Sequence, residues 1–387
     1  MTTDLAGFLA LRSEWDALWH RVPNAFAAQG FAWCLAGWQT TGQPLGRRLH
    51  IVTLRENGRV VLIWPLTTQR GWTRTTVTTL GSESSEYDSL LVEAGPEAAE
   101  HVRKAWDHVR RHTGADVIAL PFVRDGSPMQ TLLAADPVQR IAHGMPAPFT
   151  SWENAPTWDA YWQTLAPSLR KGFGRRRRRL AELGTISLDR IEDPTVFAEL
   201  IDWTLARKRD WMTAKNVANE YLGTPEYRDF FQTLARARSD TGTLAMFALR
   251  LDGVTIATKL GVLDGTRYEG FVTVYDPAYA AYSPGQIILA DCLKWCHERG
   301  LEYDFRIGEE AYKQGWANGQ VVATSYRIAN TRRGAMLLGY ATMCTQLRCV
   351  KDQLREQIPP HLRRSLKNSI KTSWADIVRR PAQPAGM

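Results

Sequence analysis

Residues 275–286 read YDPAYAAYSPGQ, and the apolar helical run QIILADCLKWCHERG (286–300) begins where they end. Ser283-Pro284-Gly285 forms a helix entrance: proline fixes φ and suits a first turn, and glycine lets another molecule approach the backbone. The first turn of such a helix presents unpaired N–H groups and the positive end of the helix dipole, so it accepts an anion. A pyrophosphate would fit there. A plain serine-capped proline turn accounts for the same residues, and spacing alone favours that simpler reading.

The segments around this entrance repeat a plan found earlier in the chain. Residues 243–250 and 254–262 are β-like runs joined through Asp252-Gly253, and Asp264-Gly265 leads to a third run, RYEGFVTVY (267–275). The helix 286–300 and the strand LEYDFRI (301–307) follow. In the first half, 49–55 and 60–68 are joined across Asn57-Gly58, a pair that supplies the positive φ angles of a tight hairpin. A run at 75–80, a helical pattern at 98–112 and an apolar strand at 115–123 complete the same order, which indicates a duplicated α/β unit. Helical segments near 156–182 and 195–237 precede the second meander, and the pattern after Arg333 is helical to about Gln357. The first half has Ser82–Glu97 where the second has its Pro-Gly helix start, so a ligand site belongs to the second.

The segment DFRIGEEAYKQGW (304–316) places Asp304 at the end of a buried strand, where a charged group needs a reason. A general base, an orienting carboxylate and an ion-pair partner for Lys313 all remain open from spacing alone. Trp211, followed by MTAKN at a helix end, is a candidate wall of an acceptor pocket.

The combination YDPAYAAYSPG, a helix ending in Gly300 and DFRIGEEAYKQGW resembles the CelD/BcsL-like (cellulose-biosynthesis-type acetyltransferase) branch of the GNAT acyltransferase superfamily, which is related in fold to the Fem aminoacyl transferases. The resemblance rests on Tyr275, Asp276, Pro277, Tyr279, Ser283, Pro284, Gly285, Asp304, Phe305, Gly308, Glu310, Tyr312, Lys313 and Trp316. It implies an α+β fold of two tandem GNAT-like units, each a mixed, mostly antiparallel sheet with flanking helices. The expected boundaries are 1–150 for a degenerate unit, 151–335 for the functional one and 336–387 for a helical basic tail. It further implies acetyl-CoA or another acyl-CoA as donor, with the thioester at the edge Phe271–Val272–Thr273 and the pyrophosphate at Ser283–Pro284–Gly285–Gln286. Asp304 and Glu269 are the candidate bases, and Tyr312 a candidate proton donor. Trp211, Asp276, Tyr279 and Lys313 are candidate acceptor contacts. The expected acceptor is an amine, or a hydroxyl, on an amino sugar, a glycan precursor or a secondary-metabolite precursor, and an acyl carrier protein is a possible donor. Fem-like aminoacyl transfer from charged tRNA is the alternative reaction.

The run RKGFGRRRRRL (170–180) suggests nucleic acid when read alone, because seven of its positions are Arg or Lys. The chain carries +8 in total; this run contributes +7 and residues 361–380 contribute +5, which leaves −4 on the rest. A mildly acidic body with two basic patches weighs against a nucleic-acid binder. On a helix Arg175, Arg178 and Arg179 share one face, so these three are the candidates to hold phosphates beside the acyl-transfer cleft. In 361–380, Leu362, Leu366, Ile370 and Trp374 recur every four residues among Arg and Lys, a pattern that can lie on an acidic membrane surface or dock on its own domain. The five cysteines lack C-x-x-C spacing, no ligand set for a metal is visible, and no stretch has the length of a membrane span. The expectation is a cytoplasmic, metal-independent enzyme.

Overall fold

Twelve strands form one continuous sheet, and what orders them is an exchange at its centre. The computed structural model describes residues 1–357 except 86, 89, 136–139, 217–223 and 238. The 361–380 segment lies outside the described residues. The strands are β1 (Arg48–Glu56), β2 (Arg59–Arg70), β3 (Thr75–Thr79), β4 (Leu91–Val92), β5 (Val117–Arg124), β6 (Arg140–Thr150), β7 (Ile186–Ile191), β8 (Thr243–Leu251), β9 (Val254–Leu263), β10 (Arg267–Tyr275), β11 (Glu302–Asp304) and β12 (Gly319–Ala329).

Both halves follow one topology. β1, β2 and β3 form an antiparallel meander, the helix Ala98–His112 crosses over, and β5 returns parallel to β3. β8, β9 and β10 form the second meander, the helix Pro284–His297 crosses over, and β11 returns parallel to β10. The hairpin turns use the residues the sequence offers: Asn57-Gly58 and Asp252-Gly253 all have positive φ. Each half then receives its next strand from the other. β12 lies against β5, β6 lies against β11, and β6 and β12 pair with each other over ten residues. This interlocks the halves through backbone bonds.

β6 contains Pro146 and Pro148, residues that ordinarily exclude a central strand. Their carbonyls accept from Gly308 and Phe305. Because the N–H and C=O of one strand residue point to the same side, the two missing donors face the 305–308 loop. The ladder to β12 loses nothing.

The second half is covered on both faces. Along β8, Ala245, Phe247 and Leu249 face the crossover helix with Ile288, Cys292 and Cys296, while Met246 and Ala248 face Phe197, Ile201, Phe230 and Phe231. The latter four lie on the helices Pro194–Lys215 and Pro225–Arg236. The basic run lies in the helix Pro167–Ala181.

The last described helix, Arg332–Gln357, starts against β5, where a Cβ on Gly334 would fall 2.0 Å from the carbonyl oxygen of Asp116. Backbone cannot yield as a side-chain tip does. Gly334→Ala is therefore expected to destabilise the fold by about 2 kcal/mol, the usual scale of overpacking. A melting temperature equal to the parent's would show that the helix is not seated there.

Candidate functional site

β10 and β11 pair for only three residues, Arg267 to Glu269 against Glu302 to Asp304. Beyond Glu269 the edge of β10 continues without a strand partner on that side among the described residues. The chain leaves β11 through Arg306, which has a left-handed φ of 60°, and Gly308, with φ 144°. β10 also bulges: its register against β9 shifts between Gly270 and Val272, so Phe271 is the extra residue. Parting strands and a bulge together open a cavity of about 820 Å³.

This cavity gathers many of the residues singled out by sequence. Phe271, Val272, Thr273, Gly285, Gln286, Trp211, Tyr312 and Lys313 all line it. The start of the crossover helix forms one wall. Ser283 has a left-handed backbone (φ 52°), and its side chain makes no capping hydrogen bond. The serine-cap reading therefore does not describe this turn. Pro284 has no N–H, and the Gln286 and Ile287 amides donate to the Ser283 carbonyl at 2.9 and 3.3 Å, which leaves the Gly285 amide as the donor that a ligand would meet. A Cβ on Gly285 would meet Tyr275 and Thr273 at 3.4 and 3.9 Å, so the protein itself tolerates a side chain there. Gln286 is engaged instead in accepting from the Trp316 indole at 2.9 Å. Trp211 lies exposed at the rim with Lys208 Nζ 4.3 Å from its ring centroid.

The charges around the cavity are unevenly compensated. Lys313 pairs with Glu310 at 3.1 Å and donates to the Ile307 carbonyl. Arg207 pairs with Asp276 at 3.0 Å, and Asp276 also caps the turn Pro277–Tyr282. Arg306 stacks on Phe271, with its guanidinium carbon 3.6 Å from the ring centroid. Lys259, on β9, is the residue that the sequence reading missed. Its Nζ donates to Thr273 at 2.9 Å and lies over the Tyr303 ring. A Cβ on Gly270 would sit 3.0 Å from that nitrogen, so glycine at the bulge makes room for the ammonium. Burial pushes the Lys259 amine down to about 8. A lysine in a strand with no other charged residue, TIATKLGV, was the available signal.

Other candidates lie behind the cavity wall or away from it. Asp304 and Glu269 are buried side by side across β11 and β10 and do not line the cavity. Asp304 accepts from the Tyr87 hydroxyl at 2.9 Å and from the Arg306 amide at 2.6 Å, with Arg124 3.8 Å away; Lys313 is not its partner. Glu269 is raised by burial first and by the Asp304 charge second. Tyr279 packs on the hydrophobic core, and Pro284 is buried in its helix. In the basic helix, Arg177 makes two 2.8 Å bonds to Asp291, and Arg179 lies over Tyr282, next to the helix entrance. Arg175 is exposed, and Arg178 lines a separate depression with Gly174 and Thr185. Of the face 175–178–179, only Arg179 reaches the entrance.

Residues 167–314 match the acetyltransferase (GNAT) domain family. That stretch runs from the basic helix through the parted strands to Gln314, so the matched residues include all that line the cavity. No curated protein matches the chain. Among solved structures it is similar to FemX, at 12% identity over 82% of this chain and 96% of that one, with a TM-score of 0.57. It is also similar to the C-terminal domain of a putative lysylphosphatidylglycerol synthetase from Agrobacterium fabrum, at 11% identity over 87% and 96%, with a TM-score of 0.52. A conserved protein of unknown function from Bacteroides thetaiotaomicron VPI-5482 gives 12% identity over 83% and 97%, with a TM-score of 0.51. At such identities the likeness is one of fold, and it spans both halves. Among the described residues no group of three or more His, Cys, Asp and Glu is arranged to hold a metal ion; His108 and His112 stack on each other at 4.2 Å.

The Lys259 site has a measurable cost. Its amine falls from an ordinary 10.5 to about 8 in the fold, which opposes folding by about 3 kcal/mol while both states carry the proton. That cost is complete below about pH 8 and fades as the pH rises towards 10.5. Lys259→Met removes it and loses one hydrogen bond worth about 1 kcal/mol, so the variant is expected to be more stable at neutral pH by about 2 kcal/mol. Urea unfolding at several pH values checks this: the advantage must shrink as the pH rises, and a destabilised variant refutes the account.

Proposed function

We propose that this protein is an acyltransferase that moves an acetyl or longer acyl group from acyl-CoA to an amine, or a hydroxyl, on a glycan or secondary-metabolite precursor. The observation that carries the reading is the open β10 edge beside an uncapped helix entrance, inside a GNAT-type domain. The CoA pyrophosphate would lie at the Ser283–Gln286 turn, on the Gly285 amide and the positive end of the helix, with Arg179 nearby, and the thioester would lie along Phe271–Thr273. The acceptor would enter past Trp211, Lys208 and Tyr312. The choice of acceptor rests on the resemblance of 275–316 to cellulose-biosynthesis-type acetyltransferases.

The acceptor nitrogen attacks the thioester carbonyl, so a C–N bond forms and the C–S bond breaks. Negative charge grows on the carbonyl oxygen and then on the departing sulfur. Backbone donors of the β10 edge and the Lys259 ammonium would stabilise that charge in a site sheltered from water. Tyr312 would supply the proton the thiolate takes up. Glu310 lines the cavity and would accept the proton released by the acceptor ammonium. Asp304 and Glu269 act from behind the wall by fixing Arg306 and the parting of the strands.

Calorimetry with acetyl-CoA and longer acyl-CoAs tests the donor. Binding is expected, and Gly285→Asp is expected to weaken it at least about tenfold, because an anion then occupies the pyrophosphate position. Since the protein tolerates a side chain at Gly285, unchanged melting with lost binding assigns the effect to the ligand. Binding equal to the parent's removes the phosphate site. If no acyl-CoA binds, discharge of an acyl carrier protein or of a charged tRNA, the Fem-like alternative, takes the proposal's place.

A further inference from the structure

The helix Arg332–Gln357 leaves the body of the protein soon after it starts. Its first turns are seated, with Leu338 buried against Val117 and Ala329. From Gly339 to Leu347 no side chain is buried. Yet this projecting stretch is not polar. Met336, Met343 and Leu347 are 70, 49 and 60% exposed, with the exposed Tyr340 between the first two. Spacings of four, three and four residues put these side chains on one face of the helix. The sequence continues the period through Val350 and Leu354. A soluble helix does not keep such a stripe without something to cover it.

Charge selects the cover. Residues 332–357 carry five Arg or Lys against Asp352 and Glu356, a net of +3, and residues 361–380 carry +5. Together they equal the +8 of the whole chain, so residues 1–331 sum to zero. Between Arg332 and Leu347 there is no acidic residue at all. A second copy of this helix would bring like charge to like charge, without the opposite-sign flanks that pair coiled-coil helices. The 361–380 segment folded back on the helix would do the same. Nucleic acid would satisfy the charge but not an aliphatic stripe. An anionic bilayer satisfies both, with the apolar face in the interface and the cations among the headgroups.

We propose that the helix 332–357 is an arm that holds this protein on an anionic membrane surface. Among the described residues no helix is long and apolar enough to cross a membrane, so the contact is one of lying on the surface. The arm continues directly from β12, which is interlocked with the half that holds the cavity.

The test is flotation of the full chain with vesicles of phosphatidylcholine alone and with vesicles of equal phosphatidylcholine and phosphatidylglycerol. Binding is expected only to the second kind and is expected to weaken with salt. The double variant Met343→Asp/Leu347→Asp should keep the parent's melting temperature, because both sites are exposed, and should lose vesicle affinity by tenfold or more. A second double variant, Leu366→Asp/Trp374→Asp, separates the arm from the following segment. Four results overturn the proposal. One is equal binding to both vesicle kinds, and another is an arm variant that binds like the parent. The third is parent-like binding lost only through Leu366 and Trp374. The last is a parent that ignores vesicles and forms a dimer dispersed by the arm substitutions, which would make the face an interface between copies.

Discussion

The cavity depends on the hydrogen bonds of one buried carboxylate. Asp304 ends β11, and both of its oxygens accept from Tyr87 while one also accepts from the Arg306 amide. A carboxylate this deep would cost several kcal/mol without such donors. The bond to Arg306 secures a left-handed residue that turns the chain away from β10. The strands part there, after three pairs, and the free edge of β10 is the result. Two of the groups facing Asp304, Tyr87 and Arg124, come from the first half of the chain. That half lacks the Pro-Gly helix start, yet it fixes the point at which the second half opens. Its role at the site is one of positioning.

Much of this was legible in sequence, and the omissions share a cause. Local signals set the two meanders, their hairpins and both crossover helices: Asn57-Gly58 and Asp252-Gly253 adopt the positive φ they imply, and the helix read at 98–112 spans Ala98–His112. The strands not anticipated are β4, β6, β7 and β12. β6 carries Pro146 and Pro148, which speak against a strand until the 305–308 loop on its far side is known. β12 is inserted beside β5, some two hundred residues away in the chain, and no local pattern encodes an exchange. The site divides likewise. The helix entrance and the β10 edge follow from motif residues in sequence order. Lys259 comes from a neighbouring strand, and Tyr87 and Arg124 come from the other half, so their approach to the site is purely tertiary.

The arginine run illustrates how helical geometry partitions a linear charge. Five adjacent arginines on a helix point around its circumference. Arg177 is spent on Asp291 of the crossover helix, a partly buried pair that clamps the two helices together. Arg179 reaches Tyr282 at the entrance of the crossover helix, and Arg175 faces solvent. A run that reads as one nucleic-acid arm is therefore divided among a brace, a cation beside the helix entrance and a solvated face.

The parting of β10 and β11 also concentrates groups that are costly to bury. Glu269, Asp304, Arg306 and Lys259 lie within a few residues of it, and stability alone would select apolar side chains there. Their arrangement constrains the chemistry of the proposed reaction. Burial and the charge of Asp304 both hold the Glu269 carboxyl towards its neutral form, and Asp304 is occupied by Tyr87 and Arg306. Neither lines the cavity, so neither is placed to receive a proton from an acceptor bound in it. Glu310 does line it, at the end facing Lys208 and Tyr312. Lys259 faces the opposite demand, holding positive charge where the thioester oxygen would become negative. The buried carboxylates thus shape the opening, and the groups that would exchange charge with substrate are those on its surface.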